Sequence, residues 1–237
     1  MKKTLYKNVL LKISGEILAG NDTFGVNDKV LNQLSKEINQ IKKLDIDLSI
    51  VIGGGNFYRG ENFQHSKINK NDADHIGMIA TVMNGIFLKN ALRNYGVKSI
   101  IYSAFSIDGI IDVYNYEKAK DMLSKGYVII LVGGTGNPHF TTDTASVLRA
   151  VELDCDIVLK GTKVDGVYDK DPLVHTETKK FTKLNYNYII SNKLKVMDIT
   201  AIALAEENSL PILVFSIKKE GELKEVLYGK GNYTLIK

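Results

Sequence analysis

Three glycine-rich turns, each placed directly after a β-like apolar run, carry the groups best suited to binding phosphate. They are ISGE at 13–16, GGGN at 53–56 and GGTGNP at 133–138. Glycine leaves consecutive backbone N–H groups open to a ligand, because no Cβ blocks close approach. The sequence contains neither the G-x-x-x-x-G-K-[ST] phosphate loop nor a G-x-G-x-x-G turn with the usual acidic residue after it. The turns therefore predict a phosphate-binding site that is neither a phosphate loop nor a G-x-G-x-x-G turn.

Two cations lie beside these turns. Lys12 is part of the apolar strand LLKIS, where alternation places it on the same face as Leu10. A lysine in such a strand either reaches solvent at the end of the sheet or pairs with an anion. Arg59 follows GGGNFY in a chain that has only three arginines. A planar guanidinium suits bidentate phosphate binding, whereas the alternative is a solvated loop residue.

Four aspartates complete the set of chemically useful residues. Catalysis of phosphoryl transfer requires mainly alignment and neutralisation of charge by Lys, Arg, backbone N–H groups and Mg²⁺. A carboxylate in such a site orients a lysine, holds magnesium indirectly or binds a ribose hydroxyl. An aspartate is also a common helix cap or turn former, so each one has a structural alternative. The candidates are Asp74, Asp143, Asp165 and Asp171.

The elements that must position these residues alternate along the chain. Apolar, strand-like runs are separated by segments with helical periodicity, which predicts a mostly parallel sheet with helices on both faces. In such a sheet, ligands bind at the carboxyl ends of the strands, where the three glycine turns lie. The strands are predicted near 8–13, 48–53, 98–103, 127–132, 156–160 and 211–216.

Local signals define several of the intervening segments. Asn27 is a predicted N-cap for the helix that follows the first strand. A longer helix is predicted over 70–95, interrupted by Gly77 and Gly85. The segment 161–195 is polar, has turn signals and lacks helical periodicity, so we expect a hairpin and an excursion at the ligand edge of the sheet.

Composition restricts the class of protein. The chain has 237 residues, of which 44% are hydrophobic and 24% charged, as in an ordinary globular protein of one domain or of two lobes sharing a sheet. The net charge of +4 suits small anionic substrates, but the sequence lacks the concentrated basic stripe that is typical of a nucleic-acid binder. The apolar runs are too short to span a bilayer, and the N-terminal segment is interpreted as a first strand, so we expect a cytoplasmic protein.

Cysteine and histidine usage argues against two further classes. A single cysteine, Cys155, excludes an intramolecular disulfide framework, and we expect its thiol to lie in or near the core. The four histidines are scattered, which argues against a structural zinc site.

Six motifs, in order along the chain, resemble those of the bacterial UMP kinase (uridylate kinase) family. This family belongs to the amino-acid kinase superfamily and is distinct from the phosphate-loop nucleotide kinases. The motifs are LLKISGE, VIGGGNFYRG, DHIGMIATVMNG, GTGNPHFTTDTA, VLKGTKVDGVYDKDP and LKVMD. The resemblance implies an α/β fold: a three-layer αβα sandwich with a mostly parallel open sheet. It also implies one domain over 1–237, with UMP bound mainly by 8–155 and ATP mainly by 156–237.

The resemblance further implies Mg²⁺-dependent transfer of the ATP γ-phosphoryl group to UMP, which gives UDP. Lys12 and Asp143 are the implied catalytic residues, with Asp143 orienting the lysine or a metal-bound water and no direct protein ligand for the metal. The implied ATP-binding residues are Lys12, Ile13, Ser14, Gly15, Gly55, Arg59, Thr162, Tyr168 and Asp171. The implied UMP-binding residues are Gly54, Asp74, Thr135, Gly136, Asn137, Pro138, His139, Phe140, Thr141 and Thr142.

Assembly and regulation are implied by the same resemblance. Members of the family are usually homohexamers that are inhibited by UTP, and many are activated by GTP. We expect no membrane partner and no requirement for nucleic acid. One short segment coincides with the family's GTP-activation region: Gly20, Asn21, Asp22, Thr23, Phe24 and Gly25.

Two other functions compete with UMP phosphorylation. One is a different amino-acid kinase activity on a carboxylate or carbamate, which would not need Asp74 or the long GTGNPHFTTD loop. The other is a regulator that senses uridine nucleotides and acts through protein or DNA partners. The presence of both Lys12 and Arg59 argues against a sensor without catalysis.

Overall fold

The fold of the chain is given by a computed structural model, which describes residues 3–58 and 68–237. Strands and helices alternate as the sequence predicts. In chain order they are β1 (Asn8–Ile13), α1 (Gly15–Leu18), α2 (Asp28–Lys42), β2 (Asp47–Ile52), α3 (Lys70–Asn94), β3 (Ser99–Ser103), β4 (Asp112–Val113), α4 (Tyr116–Ser124), β5 (Val128–Val132), α5 (Thr142–Glu152), β6 (Ile157–Thr162), β7 (Val167–Tyr168), β8 (Lys180–Phe181), β9 (Lys183–Leu184), α6 (Tyr186–Ser191), α7 (Ile199–Glu207), β10 (Ile212–Ser216), α8 (Glu222–Leu227) and β11 (Tyr233–Ile236).

The main sheet of the described residues has nine strands in the order β4-β3-β5-β2-β1-β6-β10-β11-β9. All neighbouring pairs are parallel except β10 and β11, which are antiparallel. The strand β1 is therefore central and pairs with β2 on one side and β6 on the other. In this register Lys12 of β1 lies directly beside Lys160 of β6.

The six predicted strands are confirmed, each within two residues at either end. The reason is burial on both faces, which requires continuous apolar runs in parallel strands. In β1, Val9, Leu10 and Leu11 are all completely buried, although they alternate between the two sides of the sheet. Leu10 packs with one core cluster and Leu11 with the other.

Helices cover both faces and complete three layers. On one face, α2, α3 and α8 pack over the side chains of β1, β2 and β10. On the other face, α4, α5, α6 and α7 contribute to the second core cluster. The predicted three-layer αβα sandwich with a mostly parallel sheet is thus confirmed.

Two helix predictions have different outcomes. Asn27 is the N-cap of α2, and its side-chain oxygen accepts hydrogen bonds from the backbone N–H groups of Lys29 and Val30. The predicted interruption of the long helix is wrong, because α3 runs without a break through Gly77 and Gly85. A Cβ on Gly85 would lie 2.5 Å from Val132 Cγ1 of β5. This glycine therefore permits close packing of helix on sheet.

The polar segment 161–195 contains more regular structure than its sequence indicates. The predicted hairpin is present as β7 and β8, but the helix α6 was missed. Asn185 caps α6 by accepting a hydrogen bond from the N–H group of Tyr188 at 2.6 Å. Cys155 is buried, as predicted, and burial raises the pKa of its thiol. Among residues 3–58 and 68–237, no helix combines the length and apolar character needed to cross a membrane.

Candidate active site

One carboxylate joins two lysines at the carboxyl end of the sheet. Asp143 Oδ1 lies 2.6 Å from Lys12 Nζ, and Asp143 Oδ2 lies 2.7 Å from Lys160 Nζ. The two lysines come from adjacent parallel strands in direct register, and Asp143 is the second residue of α5. Lys12 therefore pairs with an anion, as one of the two sequence interpretations predicts, and not with solvent.

The cluster is buried and carries one net positive charge. The side chains of Lys12, Asp143 and Lys160 are only 9%, 15% and 12% exposed. Burial alone would raise the pKa of Asp143, but the charges and hydrogen bonds of the two lysines outweigh it and hold the pKa at about 2. The pKa of Lys160 is lowered, mainly by burial and also by the charge of Lys12. The charge of Asp143 raises this pKa and so offsets part of the lowering. The excess positive charge favours an anionic ligand.

The start of α7 holds this cluster in place. Asp198, the N-cap of α7, accepts hydrogen bonds from the hydroxyls of Thr141 and Thr144 at the start of α5. Lys160 Nζ also donates a hydrogen bond to the backbone oxygen of Val196. The segment before α7 thereby fixes both Lys160 and the helix end that carries Asp143.

A cavity of about 660 Å³ opens beside the cluster. Its wall brings together five of the nine residues assigned to ATP by resemblance: Lys12, Ser14, Thr162, Tyr168 and Asp171. The wall is strongly cationic, because six lysines line it against three carboxylates. A larger cavity of about 760 Å³, at the β3–β4 edge of the sheet, contains none of the predicted site residues.

Two residues of the cavity wall have additional structural roles. The Tyr168 hydroxyl donates a hydrogen bond to Asp165 Oδ1 at 2.6 Å, and this bond, together with burial, raises the pKa of Tyr168 to about 12. Asp165 also pairs with Lys180 at 2.9 Å, which ties the hairpin together. Asp171 accepts a hydrogen bond from the backbone N–H of Leu173, so it forms a turn as well as lining the cavity.

The other four residues assigned to ATP lie in different surroundings. The side chain of Ile13 is fully buried in the core, so its backbone alone can face a ligand. A Cβ on Gly15 would lie 2.6 Å from the backbone oxygen of Gly53, and the first two glycine turns therefore pack directly on each other. Gly55 follows in the second turn, and Arg59 lies outside the described residues.

Three of the residues assigned to UMP, Gly54, Asp74 and His139, meet at the first half of α3. A Cβ on Gly54 would lie 2.7 Å from the oxygen of Gly77 in α3, so this glycine is required for the close approach. Asp74 Oδ2 accepts a hydrogen bond from the backbone N–H of His139 at 2.7 Å, and its other oxygen pairs with Lys70. The third glycine turn is anchored by the N–H of Gly133, which donates to the Thr81 hydroxyl at 2.7 Å.

The long loop leads from this region to the two lysines. His139 adopts a positive φ of 70°, and the loop then ends at Thr141, the N-cap of α5, whose side chain accepts a hydrogen bond from the N–H of Asp143. The loop assigned to UMP is thus continuous with the carboxylate that joins the lysines.

The segment 20–25 lies apart from the cationic cavity but touches the second glycine turn. The N–H of Gly25 donates to the backbone oxygen of Asn56 at 3.0 Å. Phe24 is 68% exposed and packs edge-on against Phe57, with ring centroids 5.5 Å apart.

Comparison with known proteins assigns the chain to a family. The model of the amino acid kinase family matches residues 7–216. The uridylate kinase of Rickettsia prowazekii is 47% identical over 231 residues, which cover 98% of this chain and 96% of that protein. The uridylate kinase of Mannheimia succiniciproducens is 44% identical over 236 residues and is covered completely. The chain belongs to the uridylate kinases of the amino acid kinase family.

Solved structures agree with this assignment. The crystal structure of UMP kinase from Ureaplasma parvum has a TM-score of 0.92 and 38% identity, and the match covers 100% of this chain and 99% of that one. The UMP kinase structure from Bacillus anthracis has a TM-score of 0.93 and 35% identity, with coverage of 98% and 96%. The protein is therefore an enzyme of this kinase family with the family's fold.

Sequence reasoning missed two residues of this candidate site, although both lie within motifs that carry the resemblance. Lys160 follows the apolar run IVL and precedes a glycine, as Lys12 lies in an apolar strand ahead of Ser14-Gly15. That repeated pattern was the available signal. Asp198 ends LKVMD and precedes a helical segment, which is the pattern of an N-cap. Its contacts with α5 could not be read from local sequence.

Proposed function

We propose that this uridylate kinase family member transfers the γ-phosphoryl group of ATP to UMP and forms UDP for pyrimidine nucleotide synthesis in the cytoplasm. The observation that carries the proposal is the buried Lys12–Asp143–Lys160 cluster, whose two lysines line a cationic cavity. Transfer between two phosphate groups needs alignment and neutralised charge more than covalent chemistry. Two lysines held by one carboxylate supply fixed positive charge in a site of low water content.

We assign the cationic cavity to ATP. Lys12 and the turn Ser14-Gly15 contact its phosphates in this proposal, together with Gly55 and Arg59, whereas Thr162, Tyr168 and Asp171 contact adenine and ribose. The support is that Thr162, Tyr168 and Asp171 line the same cavity as Lys12 and Lys160. Ile13 contributes through its backbone, because its side chain is in the core.

We assign the region between the second glycine turn, α3 and the loop 135–142 to UMP. Asp74 binds the ribose in this proposal, and the backbone of the loop contacts uracil and phosphate. The support is that Asp74 already holds the loop through His139, so one carboxylate can both shape the loop and meet a ribose hydroxyl. The acceptor phosphate then lies near the start of α5, where backbone N–H groups and the helix dipole favour an anion.

Asp143 acts as the organiser of the two lysines, which stabilise the charge of the transferred group. We propose that magnesium enters this site as a partner of the nucleotide. Mg²⁺ is commonly held by substrate phosphates, water and one or two carboxylates. In this proposal Asp143, besides holding the two lysines, contacts a water of such an ion. When bound with ATP, the ion neutralises charge on the phosphates.

The test is a comparison of phosphoryl acceptors. ADP release with Mg²⁺–ATP is measured with UMP, CMP, aspartate, and bicarbonate plus ammonia. We expect rapid turnover with UMP and little with the others. The absence of turnover with UMP would overturn the proposal. A salt-dependent DNA-binding measurement without ATP tests the regulatory alternative, since binding to phosphate backbones weakens steeply with salt.

We also propose that the enzyme forms a homohexamer. The support is a row of exposed apolar side chains along one side of α3, each between 38% and 55% exposed: Ile76, Ile79, Met83, Ile86 and Phe87. Continuous exposed apolar faces usually mark contact surfaces. Light scattering of the purified chain tests this proposal, and a monomer at micromolar concentration would contradict it.

UTP inhibition and GTP activation complete the proposal. UTP shares the uracil and ribose of UMP and therefore competes for the same contacts. The segment 20–25 is the proposed GTP-response element, supported by its bond to the second glycine turn through Gly25. UMP titrations with added UTP or GTP test both effects. We further propose that one domain binds UMP mainly through residues 8–155 and ATP mainly through residues 156–237, as the resemblance to the family implies.

A further inference from the structure

Two buried asparagines, one in the second glycine turn and one in α3, form a reciprocal amide pair. Asn56 Nδ2 donates to Asn84 Oδ1 at 2.9 Å, and Asn84 Nδ2 donates to Asn56 Oδ1 at 2.7 Å. The two residues are 2% and 0% exposed. Asn56 belongs to the turn itself, and Asn84 lies on the inward side of α3. The pair therefore links the turn to a helix of the core.

Each amide has a second bond to a backbone oxygen. Asn56 Nδ2 donates to the oxygen of Gly25 at 2.8 Å, and Asn84 Nδ2 donates to the oxygen of Gly53 at 2.7 Å. All four side-chain N–H groups are thus used, and both side-chain oxygens accept. A fully satisfied buried network fixes one geometry, because each unpaired polar atom would cost free energy. Neither a carboxylate nor an apolar side chain can reproduce this set of bonds.

The amide pair also lies against the first glycine turn. A Cβ on Gly15 would be 2.6 Å from Asn56 Oδ1 and 2.7 Å from the backbone nitrogen of Gly55. The turn after β1, which follows Lys12, thus rests directly on Asn56. The Asn56 side chain is thus one of the contacts between the two turns, beside the backbone of Gly53 and Gly55.

We propose that Asn56 and Asn84 are positioning residues for phosphoryl transfer, which hold the 53–55 turn in register with the turn after Lys12. The inference rests on the proposed function and extends it to residues that touch no substrate. Phosphoryl transfer depends on alignment of the donors that surround the phosphates. A displacement of about 1 Å costs on the order of 100-fold in rate.

The test uses Asn84→Asp and Asn84→Ala, with the same two substitutions at Asn8 as matched controls. Asn8 Nδ2 likewise donates to two backbone oxygens, those of Leu153 and Asp154, but at the opposite end of β1. We expect the Asn84 variants to lose about 10- to 100-fold in kcat, with KM for ATP and UMP changed less than about threefold. The Asn8 variants should keep the wild-type kcat. Thermal unfolding by circular dichroism ensures that all rates are compared below the unfolding transition.

A double substitution separates positioning from general damage. If the two asparagines act as one unit, Asn56→Ala with Asn84→Ala should have the kcat of the more impaired single variant. Additive losses, or equal kcat for the Asn84 and Asn8 variants, would overturn the inference while leaving UMP phosphorylation intact. A wild-type chain without UMP turnover would instead overturn the proposed function. Should Asn84→Asp not fold, the neutral Asn84→Ala variant decides the outcome.

Discussion

Replacement of Asp143 by asparagine is expected to shift the pH dependence of the enzyme as well as its rate. Asp143 is the carboxylate shared by Lys12 and Lys160, and asparagine keeps its shape but not its charge. Lys160 already has a pKa below its ordinary value because it is buried, and Asp143 counteracts this lowering. Loss of the carboxylate therefore leaves two buried ammonium groups that repel each other.

The size of the lost attraction follows from the geometry. Lys160 Nζ lies 2.7 Å from the nearer carboxylate oxygen. Two opposite unit charges with centres roughly 4 Å apart attract by about 4 kcal/mol at an effective dielectric constant of 20. Loss of this attraction should lower the pKa of Lys160 further, because burial and the Lys12 charge then act without a counteracting carboxylate. Breaking a buried ion pair also destabilises a fold by about 3–5 kcal/mol.

The assay is a pH profile of kcat/KM for ATP, which reports ionisations of the free enzyme. Rates of ADP release are measured from about pH 6 to about pH 10 for wild type and Asp143→Asn. We expect the alkaline limb of the variant to move to lower pH, and kcat to fall on the order of 100-fold or more. The control is Asp156→Asn: Asp156 precedes β6 at the end away from the cluster and accepts hydrogen bonds from the backbone N–H groups of Lys7 and Asn8, so this change should leave the profile unchanged. An alkaline limb at the same pH in Asp143→Asn and wild type would refute the electrostatic reasoning.

Three further results are expected. Lys12→Ala should lower kcat by on the order of 100-fold, because a charge stabiliser is lost, with KM for UMP little changed; a raised KM at intact kcat would make Lys12 a binding residue. Asp74→Asn should raise KM for UMP by roughly 10- to 100-fold through loss of charge-assisted hydrogen bonds, and steady-state titration with an unchanged KM would contradict its ribose role. Asp143 has a folded pKa of about 2, below its ordinary value of 3.8, so its contribution to stability is present above about pH 4 and is lost as the pH falls toward 2. Urea unfolding of wild type and Asp143→Asn should therefore differ most near neutral pH and converge in acid, and a difference that stays constant would contradict the shift.

The elements of this fold could be predicted because the signals are local. Strand β1 is buried on both faces, so an apolar run at 8–13 was sufficient evidence. The Asn27 cap was equally clear, since its side chain bonds only to the next turn of chain. By contrast, the prediction of a break at Gly85 was wrong. A glycine is needed there because the helix packs closely on Val132 of a strand that is distant in sequence.

The site was predictable only in part for the same physical reason. Lys12 could be singled out from its own strand, whereas the role of Lys160 depends on the pairing of β1 with β6, some 150 residues away in the chain. Asp198 acts through Thr141 and Thr144, and no periodicity in its own helix indicates that partnership. Pairings between distant segments decide which charged groups meet, and a single sequence does not contain them.

The central position of β1 limits how this enzyme can open. Its backbone is hydrogen-bonded to β2 along one edge and to β6 along the other, so the proposed UMP and ATP sides belong to one continuous sheet. Asp198 adds a second link, because it ties the start of α5 to α7. Rotation of one side against the other would break these ladders. The sheet therefore provides no hinge between the two sides, because β1 is paired along both of its edges.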